Sequence, residues 1–222
     1  RLNKNNGIDA KYLKIANQAC LRAAGLTKQM LSFSKGGDPV RTIWALQDVV
    51  KEAMEMTLHG SNVKGVLNCQ SLLPNVDIDS GQIHQVFNNI ILNAEQAMPE
   101  GGQINLQICN EWDGNDGQLR EMVVVEITDS GIGIKPTDMD KIFDPFFTTK
   151  SHGTGLGLTS AYWIVKRHDG DLQIKSELGK GTLVRVSLPA VRNLNTPVKS
   201  IIVDQQPLDR ARILIMDDEE MV

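Results

Sequence analysis

Apolar residues along residues 9–34 recur at alternating steps of four and three, the heptad spacing of a coiled-coil helix. The positions are Tyr12, Ala16, Ala19, Ala23, Leu26, Met30 and Phe33. Such a helix is about 40 Å long at 1.5 Å per residue, and its narrow apolar stripe favours a partner helix. A surface helix lying on the residues that follow is the alternative interpretation. The sequence "KGGDPV" predicts its end, because glycine favours helix termini and proline cannot continue a helix.

The rest of the chain mixes helical and strand patterns without a regular alternation between them. Helices are predicted over residues 46–58, 82–98 and 156–168. Strands are predicted over residues 62–69, 75–79, 101–112, 120–131, 170–177 and 181–189. The polar turn "DGNDGQ" predicts that the strands over residues 101–112 and 120–131 form a hairpin. This order predicts an α+β fold in which a mixed sheet carries its helices on one face.

Composition narrows the function classes. The chain has 222 residues, 41% of them hydrophobic, and a formal net charge of -4, so it lacks the basic surface expected of a nucleic-acid-binding protein. Three widely spaced cysteines, Cys20, Cys69 and Cys109, argue against a disulfide framework or a zinc cluster and favour the reducing cytoplasm. No apolar run approaches the roughly 18 to 20 residues that span a membrane.

Four amide side chains form one polar stripe on the helix predicted over residues 82–98. Gln85, Asn89, Asn93 and Gln96 are spaced by four, four and three residues. A solvated helix face is one interpretation of this stripe. The other is a polar ligand site, because buried amides need hydrogen-bond partners and amide oxygens can bind Mg²⁺ when phosphates supply further ligands.

Two further motifs are compatible with ligand binding. In "ITDSGIGI", Asp129 ends an apolar strand and can accept a hydrogen bond from an amine, while Gly131 and Gly133 permit close approach. A plain turn is the alternative. The second motif holds three phenylalanines in an irregular segment, where they either anchor the loop to the core or belong to a mobile lid: Phe143, Phe146 and Phe147.

The sequence "TTKSHGTGLGL" has the pattern of a phosphate-binding loop. Backbone N–H groups of Gly153, Gly155 and Gly157 can face an anion at the N-terminus of the helix that follows, and Lys150 adds a charge. The lysine precedes the glycines and no GKS or GKT follows, so the loop is not a P-loop. It also lacks the strand and the later acidic residue of a Rossmann fingerprint.

Together, and in this order, "QVFNNIILNA", "DSGIGI", "IFDPFFTTK" and "GTGLGL" resemble the four boxes of the ATP-binding domain of sensor histidine kinases. The resemblance implies the Bergerat (GHKL) fold shared with gyrase, the Hsp90 chaperones and MutL. This fold is a two-layer α/β sandwich that binds ATP and Mg²⁺ beneath a lid. Residues 39–189 are expected to form this catalytic domain.

The resemblance also assigns roles to residues. Asn93 is the expected Mg²⁺ ligand, Asp129 receives the adenine amine, and the three phenylalanines belong to the lid. The expected ATP-binding residues are Asn89, Asn93, Asp129, Gly131, Gly133, Lys150, Gly153, Thr154, Gly155, Leu156, Gly157 and Thr182. Many members carry Lys or Arg where this chain has Gln96, and Lys150 is expected to supply that charge.

The flanking residues resemble other parts of a hybrid histidine kinase. Residues 1–38 resemble the second helix of the dimerisation and phosphotransfer hairpin, residues 190–210 read as a linker, and residues 211–222 resemble the first strand of a receiver domain. In a receiver, the acid pair Asp217 and Asp218 would help to hold Mg²⁺, whereas an acidic surface turn is the alternative. The phosphoacceptor histidine is expected to lie outside this chain.

The expected function is therefore ATP·Mg²⁺ binding by the catalytic part of a homodimeric kinase. The parent protein would phosphorylate its own histidine and pass the phosphoryl group to a receiver aspartate, whereas this chain alone would not autophosphorylate. An ATPase of the gyrase or MutL kind is one alternative. A non-catalytic module that senses nucleotide is the other.

Overall fold

The structure, a computed structural model, describes residues 38–114, 119–150 and 153–191. In this part of the chain three α-helices are α1 (Leu46–Thr57), α2 (Ser80–Gln96) and α3 (Gly157–Arg167). The strands are β1 (Thr42–Trp44), β2 (Val63–Cys69), β3 (Asn75–Ile78), β4 (Gly102–Asp113), β5 (Arg120–Asp129), β6 (Asp171–Glu177) and β7 (Gly181–Val191). A short 3₁₀ helix covers Pro136–Lys141.

These strands form a mixed sheet in the order β1-β3-β7-β5-β4-β2, and β6 pairs with β7 along the edge opposite to β5. The pair β2 and β4 is parallel, whereas the other pairs are antiparallel. In the register of β5 with β7, Asp129 lies opposite Thr182. The sheet therefore brings the aspartate and the late threonine of the sequence motifs together.

The three helices pack on one face of the sheet. Alternate residues of β5, namely Val123, Val125 and Ile127, join the same buried cluster as Phe87 and Ile90 of α2. The intervening β5 side chains, such as Glu126, lie on the opposite face, where Glu126 forms an ion pair with Arg185 of β7. Period-two burial in the strands and one apolar stripe on each helix thus produce a two-layer sandwich.

Helix α2 is the middle of the helical layer and contacts both α1 and α3. Its start is fixed by Asp79, whose side chain accepts a hydrogen bond from the Gln82 N–H at 3.1 Å. Asp79 also receives a hydrogen bond from Val40 N at 3.2 Å. Asp79 thus joins the start of α2 to the backbone that precedes β1.

The mixed sheet with helices on one face confirms the fold class predicted from the sequence. Each predicted strand and helix in the described residues is present within one to two residues of its predicted ends, and β4 and β5 form the predicted hairpin. Strand β1 was not predicted, because three exposed residues carry no periodic pattern. Strand β7 runs to Val191, two residues past the predicted end of the catalytic domain.

The long helix predicted over residues 9–34, most of the predicted linker and the receiver-like strand with Asp217 and Asp218 lie outside the described residues. Within the described residues, no helix combines the length and apolar character needed to cross a bilayer.

Candidate functional site

A cavity of about 510 Å³ lies between α2, the end of β5 and the loops on either side of the glycine-rich sequence. This volume is in the usual range of small-molecule sites. Of the fifteen residues predicted for ATP binding or the lid, eleven line it: Asn89, Asn93, Asp129, Gly133, Phe147, Lys150, Gly153, Thr154, Gly155, Gly157 and Thr182. Four others, namely Gly131, Phe143, Phe146 and Leu156, do not line it.

Asp129 supplies a buried carboxylate to the cavity wall. It is 7% exposed, and its Oδ1 accepts hydrogen bonds from Gly131 N at 2.9 Å and Thr182 N at 3.2 Å. Oδ2 receives no hydrogen bond from the described residues. Because two backbone donors fix the carboxylate, Oδ2 is held as an acceptor for an amine of a ligand.

Gly131 does not line the cavity but allows the turn that shapes it. A Cβ at this position would lie 2.6 Å from Ala97 Cβ and 2.8 Å from Ala97 O, at the end of α2. The turn is also tied to α2 by the hydrogen bond from Ile132 N to Ala97 O. Glycine is therefore required here because the turn packs directly on the helix end.

The amide stripe of α2 divides between the cavity and the surrounding structure. Asn89, Asn93 and Gln96 line the cavity, whereas Gln85 does not. Asn89 Nδ2 donates to Gly157 O at 3.1 Å, so this asparagine fastens the start of α3 to α2. The side-chain oxygens of Asn93 and Gln96 both accept hydrogen bonds from Lys150 Nζ.

The three phenylalanines have different environments. Phe147 lines the cavity, whereas Phe143 packs against Tyr162 of α3 with ring centroids 5.0 Å apart. Phe146 is 52% exposed and has a φ of +68°. Its N–H donates to Gly155 O, so the backbone at Phe146 lies directly against the backbone at Gly155. Only Phe147 is therefore placed to contact a ligand in this conformation.

The absence of a side chain at Gly155 permits this close backbone contact. Its φ is +67°, and a Cβ would lie 2.3 Å from the carbonyl carbon of Phe146. Leu156, next along the chain, is 2% exposed and is the N-cap residue of α3. Since Gly155 and Gly157 line the cavity, the N-terminus of α3 borders it and contributes the partial positive charge of a helix end.

Two ionisable groups in the cavity are shifted by burial. Burial raises the pKa of the Asp129 carboxyl, although the N–H groups of Gly131 and Thr182 and the charge of Lys150 oppose the shift. Burial also lowers the pKa of the Lys150 ammonium, against the attraction of Glu95 and Asp129. The site is therefore partly dehydrated, and its carboxylate and ammonium influence each other without forming an ion pair.

Apolar residues that the sequence motifs did not single out form much of the cavity wall: Ile90, Ala94, Ala97, Ile127, Ile132, Ile134, Ile142, Ile174 and Val184. Three of these apolar residues directly follow the stripe residues Asn89, Asn93 and Gln96 in the sequence, namely Ile90, Ala94 and Ala97. Their position next to the stripe could have indicated that they line the cavity. An apolar wall with a few fixed polar groups suits a flat heterocyclic base.

A larger cavity, about 620 Å³, lies on the sheet face opposite the helices. It is lined by strand residues such as Arg185, which forms ion pairs with Glu111 and Glu126, and by none of the predicted site residues. Lys166 and Asp171, which also line it, form a further ion pair. The smaller cavity is therefore the better candidate site, because it holds eleven of the predicted site residues and the two lining groups whose pKa burial shifts, Asp129 and Lys150.

Comparison with known proteins identifies the family of the chain. Residues 78–192 match the family model described as histidine kinase-, DNA gyrase B- and HSP90-like ATPase. The sensor kinase CckA of Brucella abortus (strain 2308) is 34% identical over 242 aligned positions, which cover 100% of this chain and 26% of CckA. The signal transduction histidine-protein kinase AtoS of Escherichia coli (strain K12) is 32% identical, covering 85% of this chain and 30% of AtoS.

Among solved structures, the catalytic domain of histidine kinase ThkA in a nucleotide-free form is similar, with a TM-score of 0.57 and 27% identity. The match covers 68% of this chain and 95% of that domain. The chain thus spans about a quarter to a third of the two curated relatives named above and nearly all of a solved catalytic domain. This chain belongs to the family of histidine kinase-, DNA gyrase B- and HSP90-like ATPases, and it carries the ATP-binding catalytic domain of a two-component sensor histidine kinase.

Proposed function

We propose that this chain binds ATP together with Mg²⁺ and that the protein to which it belongs transfers the γ-phosphoryl group to a histidine. The observation that carries the proposal is that a buried carboxylate, Asp129, and an ammonium, Lys150, line one cavity without forming an ion pair. Asp129 Oδ2 is an acceptor suited to the adenine amine, beside an apolar wall that suits the ring. Lys150, the glycine-rich loop and the N-terminus of α3 also border the cavity. We place the phosphates beside them and the adenine beside Asp129, and we call these positions the phosphate end and the adenine end.

Asn93 fits the role of a magnesium ligand. Its Oδ1 is a neutral oxygen that lines the cavity and already accepts a hydrogen bond from a cation, the ammonium of Lys150. Mg²⁺ binds few protein groups when phosphate oxygens and water supply the remaining ligands. A bound Mg²⁺ would neutralise phosphate charge, which is much of what phosphoryl transfer requires.

Asn89 supports phosphoryl transfer rather than hydrolysis. ATPases of the gyrase or MutL kind carry a glutamate base four residues before the magnesium asparagine, and this chain has Asn89 there. An amide cannot take a proton from water, and the Asn89 side chain is engaged with Gly157 O. A steady-state ATPase rate near the enzymic median of about 10 s⁻¹ would contradict the proposal.

The wider organisation is proposed from the sequence and from the extent of one match. The family model covers residues 78–192, but the similarity to CckA extends over the whole chain. We therefore propose that residues 1–38 belong to a dimerisation hairpin and residues 211–222, with Asp217 and Asp218, to a receiver domain. Cys69 and Cys109 are free thiols, which supports a reducing cytoplasmic location for this part.

Phosphotransfer is tested with ATP labelled on the γ-phosphate. The chain alone should bind ATP but acquire no stoichiometric acid-labile label, since buried His168 has both ring nitrogens hydrogen-bonded and no other histidine carries the phosphoacceptor motif. The parent protein, expressed with its upstream hairpin, should become labelled on histidine. ATP binding without labelling of the longer protein would favour a nucleotide-sensing module instead.

A further inference from the structure

Lys150 carries a positive charge that is hydrogen-bonded to neutral amides, while the carboxylates that attract it, Glu95 and Asp129, lie beyond ion-pair distance. Its Nζ donates to Asn93 Oδ1 at 3.1 Å and to Gln96 Oε1 at 2.8 Å. Both acceptors are neutral amide oxygens, and within the described residues no carboxylate lies at ion-pair distance from Nζ. The third N–H of the ammonium has no partner among these residues, so it is available to an anion.

A lysine side chain needs such support to act at a fixed position. Its four-carbon stem is flexible, and ordering a long side chain costs up to about 2 kcal/mol of conformational free energy. The backbone of Lys150 is already held, because its N–H donates to Thr148 Oγ1 and its carbonyl accepts from Gly153 N. The two amides of α2 fix the remaining freedom, that of the side chain.

We propose that Gln96 is a positioning residue that holds the Lys150 ammonium at the phosphate end of the nucleotide cavity. The inference rests on the proposed ATP site and adds a role for a residue that the sequence showed only as a departure from its family. Of the two acceptors, Gln96 makes the shorter hydrogen bond. It is also the one that stays with Lys150 when Asn93 Oδ1 is used by Mg²⁺.

The neutrality of Gln96 is part of the argument. A carboxylate at this position would hold the ammonium more tightly but would pair with its charge, and the charge is what a phosphate chain requires. An alanine would leave the charge but release the side chain. Both changes should weaken the binding of phosphate-bearing ligands, while the contacts to the adenine end remain.

The test compares the dissociation constants of ADP and adenosine, measured by calorimetry on the full 222-residue protein without magnesium. Wild type should bind ADP more tightly than adenosine. Lys150→Met should lose about tenfold or more of its ADP affinity, the scale of one charge-assisted hydrogen bond. Gln96→Ala and Gln96→Glu should each lose about threefold or more, and the adenosine affinity of each variant should stay within about twofold of wild type.

A double variant shows whether Gln96 acts through Lys150. Combined with Lys150→Met, Gln96→Ala should cause no further loss of ADP affinity, because the group that it positions is gone. Gln47→Ala on α1 is the matched control, since it removes the same side chain from a partly exposed helix position away from the cavity. It should bind both ligands as wild type does.

Three outcomes would overturn the inference: unchanged ADP affinity in Gln96→Ala, equal losses for ADP and adenosine, or losses that add in the double variant. Each of these leaves the ATP site itself intact if the wild type still binds ADP and adenosine. Absence of nucleotide binding by the wild type would instead refute the proposed function. The two failures are therefore distinguishable in one set of titrations.

Discussion

Replacement of Asp129 by asparagine tests the adenine end of the cavity with the smallest change of shape. Asparagine keeps an Oδ1 that can accept the hydrogen bonds from Gly131 N and Thr182 N. It puts an NH₂ group where Asp129 has Oδ2, the oxygen without a partner in the described residues. A ligand amine that donates to Oδ2 would then meet a second donor.

The expected loss follows from the strength of that contact. A hydrogen bond to a charged acceptor contributes about 1.5 to 3 kcal/mol, and 1.4 kcal/mol corresponds to a tenfold change in affinity. Because the carboxylate is 7% exposed, water can replace the contact only poorly. We therefore expect Asp129→Asn to weaken ATP and adenosine alike by about tenfold to one hundredfold, unlike the changes at Gln96.

Folding stability should change in the opposite direction. Since burial raises the folded-state pKa of Asp129 above its unfolded value, this group favours folding below the unfolded pKa, and that contribution is lost as pH rises through the folded pKa. At pH 7 the buried charge opposes folding. The neutral asparagine should therefore melt at the same temperature as the wild type or higher.

Calorimetric titration and thermal melting measure both effects, with Asp140→Asn as the control that removes the same charge from an exposed carboxylate. The control should bind adenosine normally. Wild-type adenosine affinity in Asp129→Asn would refute the assignment of Asp129 to the base. A melting temperature well below that of the wild type would refute the argument from burial.

Three further predictions concern the fold and the loop. Phe87→Ala should destabilise the protein by about 3 to 5 kcal/mol in a denaturant titration, because Phe87 is 0% exposed in the core. His168, whose pKa burial lowers, should stabilise the fold above pH 6.5, and that contribution should fall away as pH drops through the lower folded-state pKa in unfolding experiments. Gly155→Ala should lower the melting temperature and weaken ATP binding more than Gly179→Ala, since both glycines have positive φ but only Gly155 would clash.

Each of these has its own contradicting result. A loss below about 1 kcal/mol for Phe87→Ala would mean that the core is not packed as described. For His168, the same pH dependence of unfolding in His168→Gln would show that another group titrates there. Equal effects of the two glycine variants would show that positive φ alone, and not contact with Phe146, determines the cost.

The sequence by itself determined the secondary structure and identified candidate residues for the site. Period-two and period-3.6 patterns located the helices and strands in the described residues, because burial of one face depends on spacing within a single element. The pattern predicted over residues 82–98 located α2 to within two residues of its ends. The polar stripe, Asp129 and the glycine-rich loop likewise named several of the polar residues that line the cavity, but not its apolar wall.

The tertiary structure alone decided which of those residues meet and how. Lys150 and Gln96 are 54 positions apart, and His168 accepts a hydrogen bond from Asp79 N across 89 positions. No spacing rule reaches that far, because such contacts depend on strand order, register and loop path together. The same holds for the phenylalanines, of which only Phe147 faces the cavity.

Gln96, which stands where many family members carry Lys or Arg, shows most clearly how the contributions of sequence and fold differ. From the sequence, a neutral amide at this position meant a missing charge, with Lys150 as the expected substitute. In the folded protein the two side chains are hydrogen-bonded to each other. The sequence determined that a cation and an amide are present, and the fold determined that the amide can hold the cation, because only folding brings the loop against the end of α2.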